Sequence, residues 1–192
     1  MKNTKKKLKG RAVFLDRDGV INHPCYYNDR GIYSPRDLEE FKLIKGVKES
    51  IKAFKKAGFK VIVVSNQPGV VFGYIRKEKL DEIDDFMIKK LKVDAVYNCL
   101  HHPEYTGDCS CRKPKDGLLK KAAREWKIDI SRSYMVGDDL SDIKAGHKCK
   151  ETFLIIKKMS IPILNFMEDM QTYPSHMVKS LKEAARIILS PL

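Results

Sequence analysis

Three polar clusters in this sequence each follow directly on a short apolar run. Asp16 and Asp18 follow Ala12-Val13-Phe14-Leu15, and Ser65 and Asn66 follow Val61-Ile62-Val63-Val64. Gly137, Asp138, Asp139 and Asp142 follow Tyr134-Met135-Val136. A continuous apolar run of this length reads as a strand buried on both faces. In an open parallel sheet the C-terminal strand ends face the ligand crevice, so the three clusters converge on one edge. Lys113, just ahead of a helical stretch, reaches the same edge. Each cluster alone reads as helix capping or turn chemistry; three in succession, each after a strand, read as a site.

Carboxylates gathered in one crevice repel and call for a cation. An all-oxygen donor set suits a hard ion such as Mg²⁺. That ion and a lysine together would cradle a phosphoryl group and neutralise its charge during transfer. One free carboxylate oxygen attacks phosphorus to give an acyl phosphate. A second carboxyl, two residues on, protonates the leaving oxygen and then activates water. The expected chemistry is therefore metal-assisted phosphoryl transfer, with one carboxylate as nucleophile and a second as acid and base.

A second constellation has different donors. Cys99 and His101 are separated by seven residues from Cys109 and Cys111, a Cys-x-His and Cys-x-Cys array. Four soft or borderline ligands suit tetrahedral Zn²⁺ in a structural role, with no open position for substrate. His102 is a rival ligand, and a loop of reduced thiols is the plain alternative. The array ends at Arg112 and Lys113, so zinc would fix the residues that grip phosphate.

The elements that must carry these residues follow from periodicity. Strands are predicted over 12–15, 61–64, 94–97, 134–136 and 152–156, and helices over 46–58, 76–91, 117–126, 141–147 and 177–189. Strands alternating with helices predict an α/β fold built on a parallel sheet. Residues 22–45 read as a surface loop near the site, and 157–173 carry no clear period. No repeat and no linker rich in Pro, Gly or Ser divides the chain, so 1–192 is expected to be one domain. Its margins are a basic tail at 1–10 and a C-terminal extension at 157–192.

Composition limits the function classes. The chain has 192 residues, 43% hydrophobic and 33% charged, values that suit a globular protein. No apolar run approaches the roughly 20 residues that cross a bilayer. The basic start runs into Asp16, Arg17 and Asp18 without a signal-peptide core, so a cytoplasmic protein with no membrane partner is expected. The formal net charge of +13 fits a lysine-rich surface or attraction to anions. The lysines are spread along the chain and do not cluster as a nucleic-acid groove would, which argues against a nucleic-acid partner.

Phe14-Leu15-Asp16-Arg17-Asp18-Gly19-Val20-Ile21-Asn22 resembles the first motif of the haloacid-dehalogenase-like (HAD) phosphatases. Val63-Val64-Ser65-Asn66-Gln67-Pro68-Gly69 resembles the second, Cys111-Arg112-Lys113-Pro114 the third, and Val136-Gly137-Asp138-Asp139-Leu140-Ser141-Asp142 the fourth. Leu-Asp-Arg-Asp-Gly, Asn-Gln and the cysteine–histidine loop are similar to the branch of histidinol phosphatases and D,D-heptose 1,7-bisphosphate phosphatases. The resemblance implies a Rossmann-like sheet flanked by helices, little or no cap domain, and a zinc-binding loop at 99–111. It implies Asp16 as nucleophile and Asp18 as general acid and base, Asp16, Asp138 and the backbone carbonyl of Asp18 as Mg²⁺ ligands, and Ser65 and Lys113 as holders of the phosphoryl group. It also implies Cys99, His101, Cys109 and Cys111 as zinc ligands. Asn66, Arg112 and Asp139 are the expected substrate-side residues, with Asn66 orienting the site and Arg112 reading the rest of the substrate.

The chain departs from that branch at Phe72 and Asp139, which stand where its sugar-phosphate members often carry arginine and lysine. The expected partner is a small phosphorylated metabolite, a heptose bisphosphate first and histidinol phosphate second, and the expected unit is a monomer. A polynucleotide phosphatase and an inactive zinc-stabilised binding protein are the remaining alternatives. Intact Asp16, Asp18, Lys113 and Asp138 argue against the last.

Overall fold

The computed structural model describes residues 10–27, 31–156 and 161–190. The basic tail therefore lies outside the described residues, except for Gly10. Six strands form one parallel sheet: β1 (Ala12–Leu15), β4 (Lys60–Asn66), β5 (Ala95–Cys99), β6 (Tyr134–Gly137), β7 (Glu151–Ile155) and β8 (His176–Val178), in the order β5-β4-β1-β6-β7-β8. The nucleophile candidate thus leaves the sheet from an inner strand, with β4 and β6 on either side. All three polar clusters emerge from adjacent strand ends, as the parallel register requires.

The strands are buried on both faces, and the residues alternate between two cores. Val13, Leu15, Val61 and Val63 pack with helices α1 (Val47–Lys56), α2 (Lys77–Phe86) and α7 (Leu181–Leu189). Ala12, Phe14, Ile62 and Val64 pack with α4 (Gly117–Trp126) on the opposite face. Helix α5 (Leu140–Ala145) follows the fourth motif, and Leu140 and Ile143 pack with Leu154 and Met167. Among the described residues no helix is long and apolar enough to cross a membrane.

Between β1 and α1 the chain forms an antiparallel hairpin, β2 (Cys25–Tyr27) with β3 (Gly31–Tyr33). Residues 22–45 were expected to be loop; strands of three residues are too short to leave a period in the sequence. The loop of the Cys/His array contains a single turn, α3 (Pro103–Thr106).

Two further expectations are corrected. The helix predicted over 177–189 begins only at Leu181, because Ser180 caps it by accepting from the Glu183 amide. Met177 and Val178 instead pair with Leu154 and Ile155 as the sixth strand. A two-residue apolar stretch satisfies either period, so the cap decides. The helix over 76–91 ends its regular part at Phe86 and closes in a π-turn at Met87–Leu91, with Lys92 in the left-handed region at φ 62. Part of the unread segment is helix α6 (Ile161–Asp169), with Ile161, Leu164 and Phe166 exposed and Met167 buried. Its apolar residues lie on more than one face, which hides the helical period.

Candidate active site

The cleft at the C-terminal edge of the sheet has a volume of about 370 Å³ and is walled by Asp16, Asp18, Ser65, Asn66, Lys113, Asp138, Asp139 and Asp142, with Pro24, Ile32, Tyr33, Ser34 and Ser141 at its mouth. That size suits a small metabolite. At its floor the Lys113 ammonium donates to Asp16 Oδ1 at 2.6 Å and to the Val64 carbonyl at 2.9 Å. It also lies 2.5 Å from Asp142 Oδ1. Lys113 and Asp142 are buried, and Asp16 is 8% exposed. Burial alone would push the lysine toward its neutral form, but Asp142 and Asp16 more than reverse this and hold it protonated.

Two glycines let the carboxylates approach. A Cβ on Gly19 would stand 1.8 Å from Asp138 Oδ2, and Gly19 also has φ +81. A Cβ on Gly137 would stand 2.2 Å from Asp142 Oδ2. Any side chain at either position would displace a carboxylate from the site.

Asp18 is held apart from this cluster. Its carboxylate accepts from Arg17 Nη2 at 3.0 Å, Asn22 Nδ2 at 2.8 Å, Gln67 Nε2 at 2.8 Å and Ser34 Oγ at 2.7 Å. Burial raises its pKa, but the Arg17 guanidinium and these hydrogen bonds outweigh burial and leave the carboxyl below the usual range. Arg17 is fully buried and also donates to Gln67 Oε1 at 2.8 Å. Gln67 in turn donates to Ser65 Oγ at 2.8 Å. Sequence reasoning assigned no role to Arg17, Asn22, Ser34 or Gln67. Arg17, Asn22 and Gln67 lie inside the first two motifs, which was the available signal; Ser34 reaches Asp18 only through the hairpin.

The three expected substrate-side residues are placed as follows. The Asn66 amide holds the Lys113 backbone, receiving from its N–H at 3.0 Å and donating to its carbonyl at 3.0 Å. It orients the lysine and also lines the cleft. Asp139 lines the cleft, but its carboxylate caps α5 by accepting from the Ser141 amide at 2.7 Å. Arg112 is not among the cleft walls; its Nη1 donates to the His101 carbonyl at 3.1 Å.

Carboxylate oxygens of Asp16, Asp138 and Asp142 lie within 4.8 Å of one another. Burial, and then the charges of Asp16, Asp142 and Asp139, push the Asp138 carboxyl up to about 8. Burial likewise leads the rise of Asp142 to about 7, against the pull of Lys113. Hard oxygen donors this crowded fit a divalent cation, whose charge would offset the repulsion. Asp142 joins the cluster more closely than its position in the sequence suggested.

The second constellation closes in the same way. Ligand atoms of Cys99, His101, Cys109 and Cys111 all lie within 4.8 Å of one another. Cys111 Sγ is 3.1 Å from Cys99 Sγ, 3.5 Å from Cys109 Sγ and 3.3 Å from His101 Nδ1. Such separations suit four donors around one ion at roughly 2.0–2.3 Å from each. His102, the rival ligand, packs its ring on Phe72 and is not in the group.

The profile of the haloacid dehalogenase-like hydrolases matches residues 6–150. Among curated proteins, the D-glycero-beta-D-manno-heptose-1,7-bisphosphate 7-phosphatase of Haemophilus influenzae is 33% identical over 187 residues, covering 93% of this chain and 96% of the relative. The enzyme of the same name from Helicobacter pylori strain J99 is 38% identical over 73% of this chain and 79% of its own length. Among solved structures, D,D-heptose 1,7-bisphosphate phosphatase from B. bronchiseptica, complexed with magnesium and phosphate, superposes with TM-score 0.75 at 25% identity, covering 93% of this chain and 98% of that one. With the family's profile matched across most of its length and the four motifs meeting at one sheet edge, this chain belongs to the haloacid dehalogenase-like hydrolases.

Proposed function

We propose that this chain is a Mg²⁺-dependent phosphatase that removes the 7-phosphate of D-glycero-D-manno-heptose 1,7-bisphosphate through a phosphorylated Asp16. One observation carries the mechanism: a buried lysine ammonium 2.6 Å from Asp16 Oδ1, inside a cluster of carboxylates. The relatives named for this reaction, similar to this chain over most of its length, support the substrate.

Asp16, Asp138 and the backbone carbonyl of Asp18 would hold Mg²⁺, with Asp142 buttressing the set. When bound, the ion supplies charge neutralisation for the phosphoryl oxygens. Lys113 fixes one oxygen of Asp16 and leaves the other for attack. That oxygen bonds to phosphorus as the ester P–O bond breaks, and Ser65 and Lys113 hold the phosphoryl oxygens in flight. Asp18 gives its proton to the leaving sugar oxygen. It then takes a proton from water, whose oxygen attacks phosphorus and releases phosphate and free Asp16. With four hydrogen-bond donors around it, Asp18 rests ionised. The dianionic substrate beside it favours the protonated form needed in the first step.

Zinc on Cys99, His101, Cys109 and Cys111 would be structural, tying the loop that ends at Arg112 and Lys113. The residues the mechanism uses meet at one edge of the sheet, so one chain can assemble the site, and the proposed unit is a monomer. The test is phosphate release with Mg²⁺ from the heptose bisphosphate and from histidinol phosphate in parallel, with wild type and Asp16→Asn. Turnover of the first substrate by wild type alone is the expected result. Turnover of histidinol phosphate alone, or equal release by Asp16→Asn, contradicts the proposal.

A further inference from the structure

The sheet edge that carries the catalytic cleft also carries a second cavity, of about 270 Å³. Pro24 and Asp138 wall both spaces, so the two adjoin. The other walls of the second cavity include Val20, His23, Ile44, Ile155, Lys179 and Leu181. The phosphoryl-transfer mechanism uses neither His23 nor Lys179.

Lys179 reaches this edge by the same rule that places the catalytic carboxylates. Asp16 follows β1 and Asp138 follows β6; Lys179 follows β8 in the same parallel sheet. Pairing of Val178 with Ile155 fixes where that strand ends. The Lys179 amide then donates to Glu183 Oε2 at 2.8 Å, and Ser180 caps α7. The backbone is held on both sides of Lys179, while the residue itself stays exposed. His23 is anchored from the loop after β1. Its amide donates to the Lys42 carbonyl at 2.8 Å, and its carbonyl accepts from Asn22 Nδ2 at 3.0 Å. The same Asn22 amide donates to Asp18, which ties His23 to the acid–base group.

Charge names the occupant. Among the described residues lining the cavity, His23 and Lys179 are basic and Asp138 is acidic. Asp138 belongs to the carboxylate cluster whose charge a divalent cation would offset. An ammonium and an imidazole N–H are donors suited to an oxyanion. Val20, Ile44, Ile155 and Leu181 give the cavity an apolar lining, which strengthens a charge-assisted hydrogen bond made inside it. The proposed substrate carries two phosphates. Ser65 and Lys113 hold the reacting one at the floor of the cleft, and the other needs donors of its own within one sugar's length.

We propose that Lys179 and His23 form a subsite for the non-reacting phosphate of the substrate, in the cavity that adjoins the cleft at Pro24 and Asp138. The proposal rests on the phosphatase reading above and adds the groups that select a bisphosphate over a monophosphate of the same sugar.

The experiment compares D-glycero-D-manno-heptose 1,7-bisphosphate with the 7-phosphate of the same sugar in wild type, Lys179→Ala, Lys179→Arg and His23→Ala. It reads kcat and KM for the bisphosphate, and the inhibition constant of the 7-phosphate against it. Lys179→Ala should raise the bisphosphate KM roughly 5- to 20-fold with kcat within about twofold, and His23→Ala should raise it roughly 3-fold. The inhibition constant of the 7-phosphate, which lacks the second anion, should stay within about twofold of wild type in both. Lys179→Arg, which keeps the charge, should recover most of the loss. An equal loss for both ligands shows a general effect on the cleft and overturns the subsite, as does an unchanged bisphosphate KM in either alanine variant. Those results leave the phosphatase reading standing. Absence of phosphate release from the bisphosphate by wild type defeats that reading, and the subsite with it.

Discussion

The Lys113 ammonium bridges two carboxylates and a strand carbonyl in a buried floor, and Asn66 pins its backbone from both sides. This places a fixed positive charge beside Asp16, the proposed nucleophile, before substrate arrives, which is how preorganised charge lowers a barrier. Asp16→Asn should lower phosphate release by roughly 10³-fold or more, since no second nucleophile replaces it. Gly19→Ala brings a methyl against Asp138 Oδ2 at a left-handed φ, so turnover should fall by roughly 10²-fold through displaced ligand geometry. Wild-type turnover in Gly19→Ala would mean that Asp138 is not needed where it lies. Asp16, Ser65, Lys113 and Asp138 were legible because each sits in a motif beside a strand or helix. Gln67 and Ser34 were not, because their roles arise from contacts across 49 and 16 residues of chain. Asn66 and Asp139 line the cleft and also make scaffold contacts, to the Lys113 backbone and the Ser141 amide, that spacing in the sequence does not foretell.

At the scale of elements, the parallel sheet was readable from its β-branched runs, and α4 falls at its expected bounds, Gly117–Trp126. The β2–β3 hairpin and β8 were not, since three residues are too few for a period of two to emerge. Phe54 on α1 is fully buried against the sheet. Phe54→Ala should cost about 3–5 kcal/mol of stability in a denaturant titration; a change under about 1 kcal/mol would mean that this face repacks freely. The Cys/His loop makes a separate prediction. Cys111→Ser should drop bound zinc from about one ion per chain to a small fraction, by elemental analysis. Hydrogen exchange should then quicken over 99–113 while the β1 and β4 amides stay protected. Uniform exchange across the sheet would show that the cluster supports the whole fold and not just the loop.

Across the whole molecule, charge couples protonation to cation binding. Asp138 and Asp142 have folded-state pKa values of about 8 and about 7, above the ordinary carboxylate value. At these two carboxyls the metal-free fold therefore holds more protons than the unfolded chain between about pH 4 and 8, and their contribution to stability falls as pH rises through that window. Divalent binding must expel those protons, so affinity tightens as pH rises. Titration calorimetry with Mg²⁺ should show tighter binding at pH 8 than at pH 6, with proton release that depends on buffer ionisation heat. A pH-independent affinity would place the cation elsewhere.

The most direct test of the central claim is to mix the enzyme with Mg²⁺ and substrate carrying radiolabelled phosphate, quench in acid within milliseconds, and count label on the protein. The account predicts a hydroxylamine-sensitive acyl phosphate on Asp16 that forms before free phosphate and is absent in Asp16→Asn. Phosphate release by wild type with no labelled protein at any quench time, or label that persists in Asp16→Asn, would contradict it.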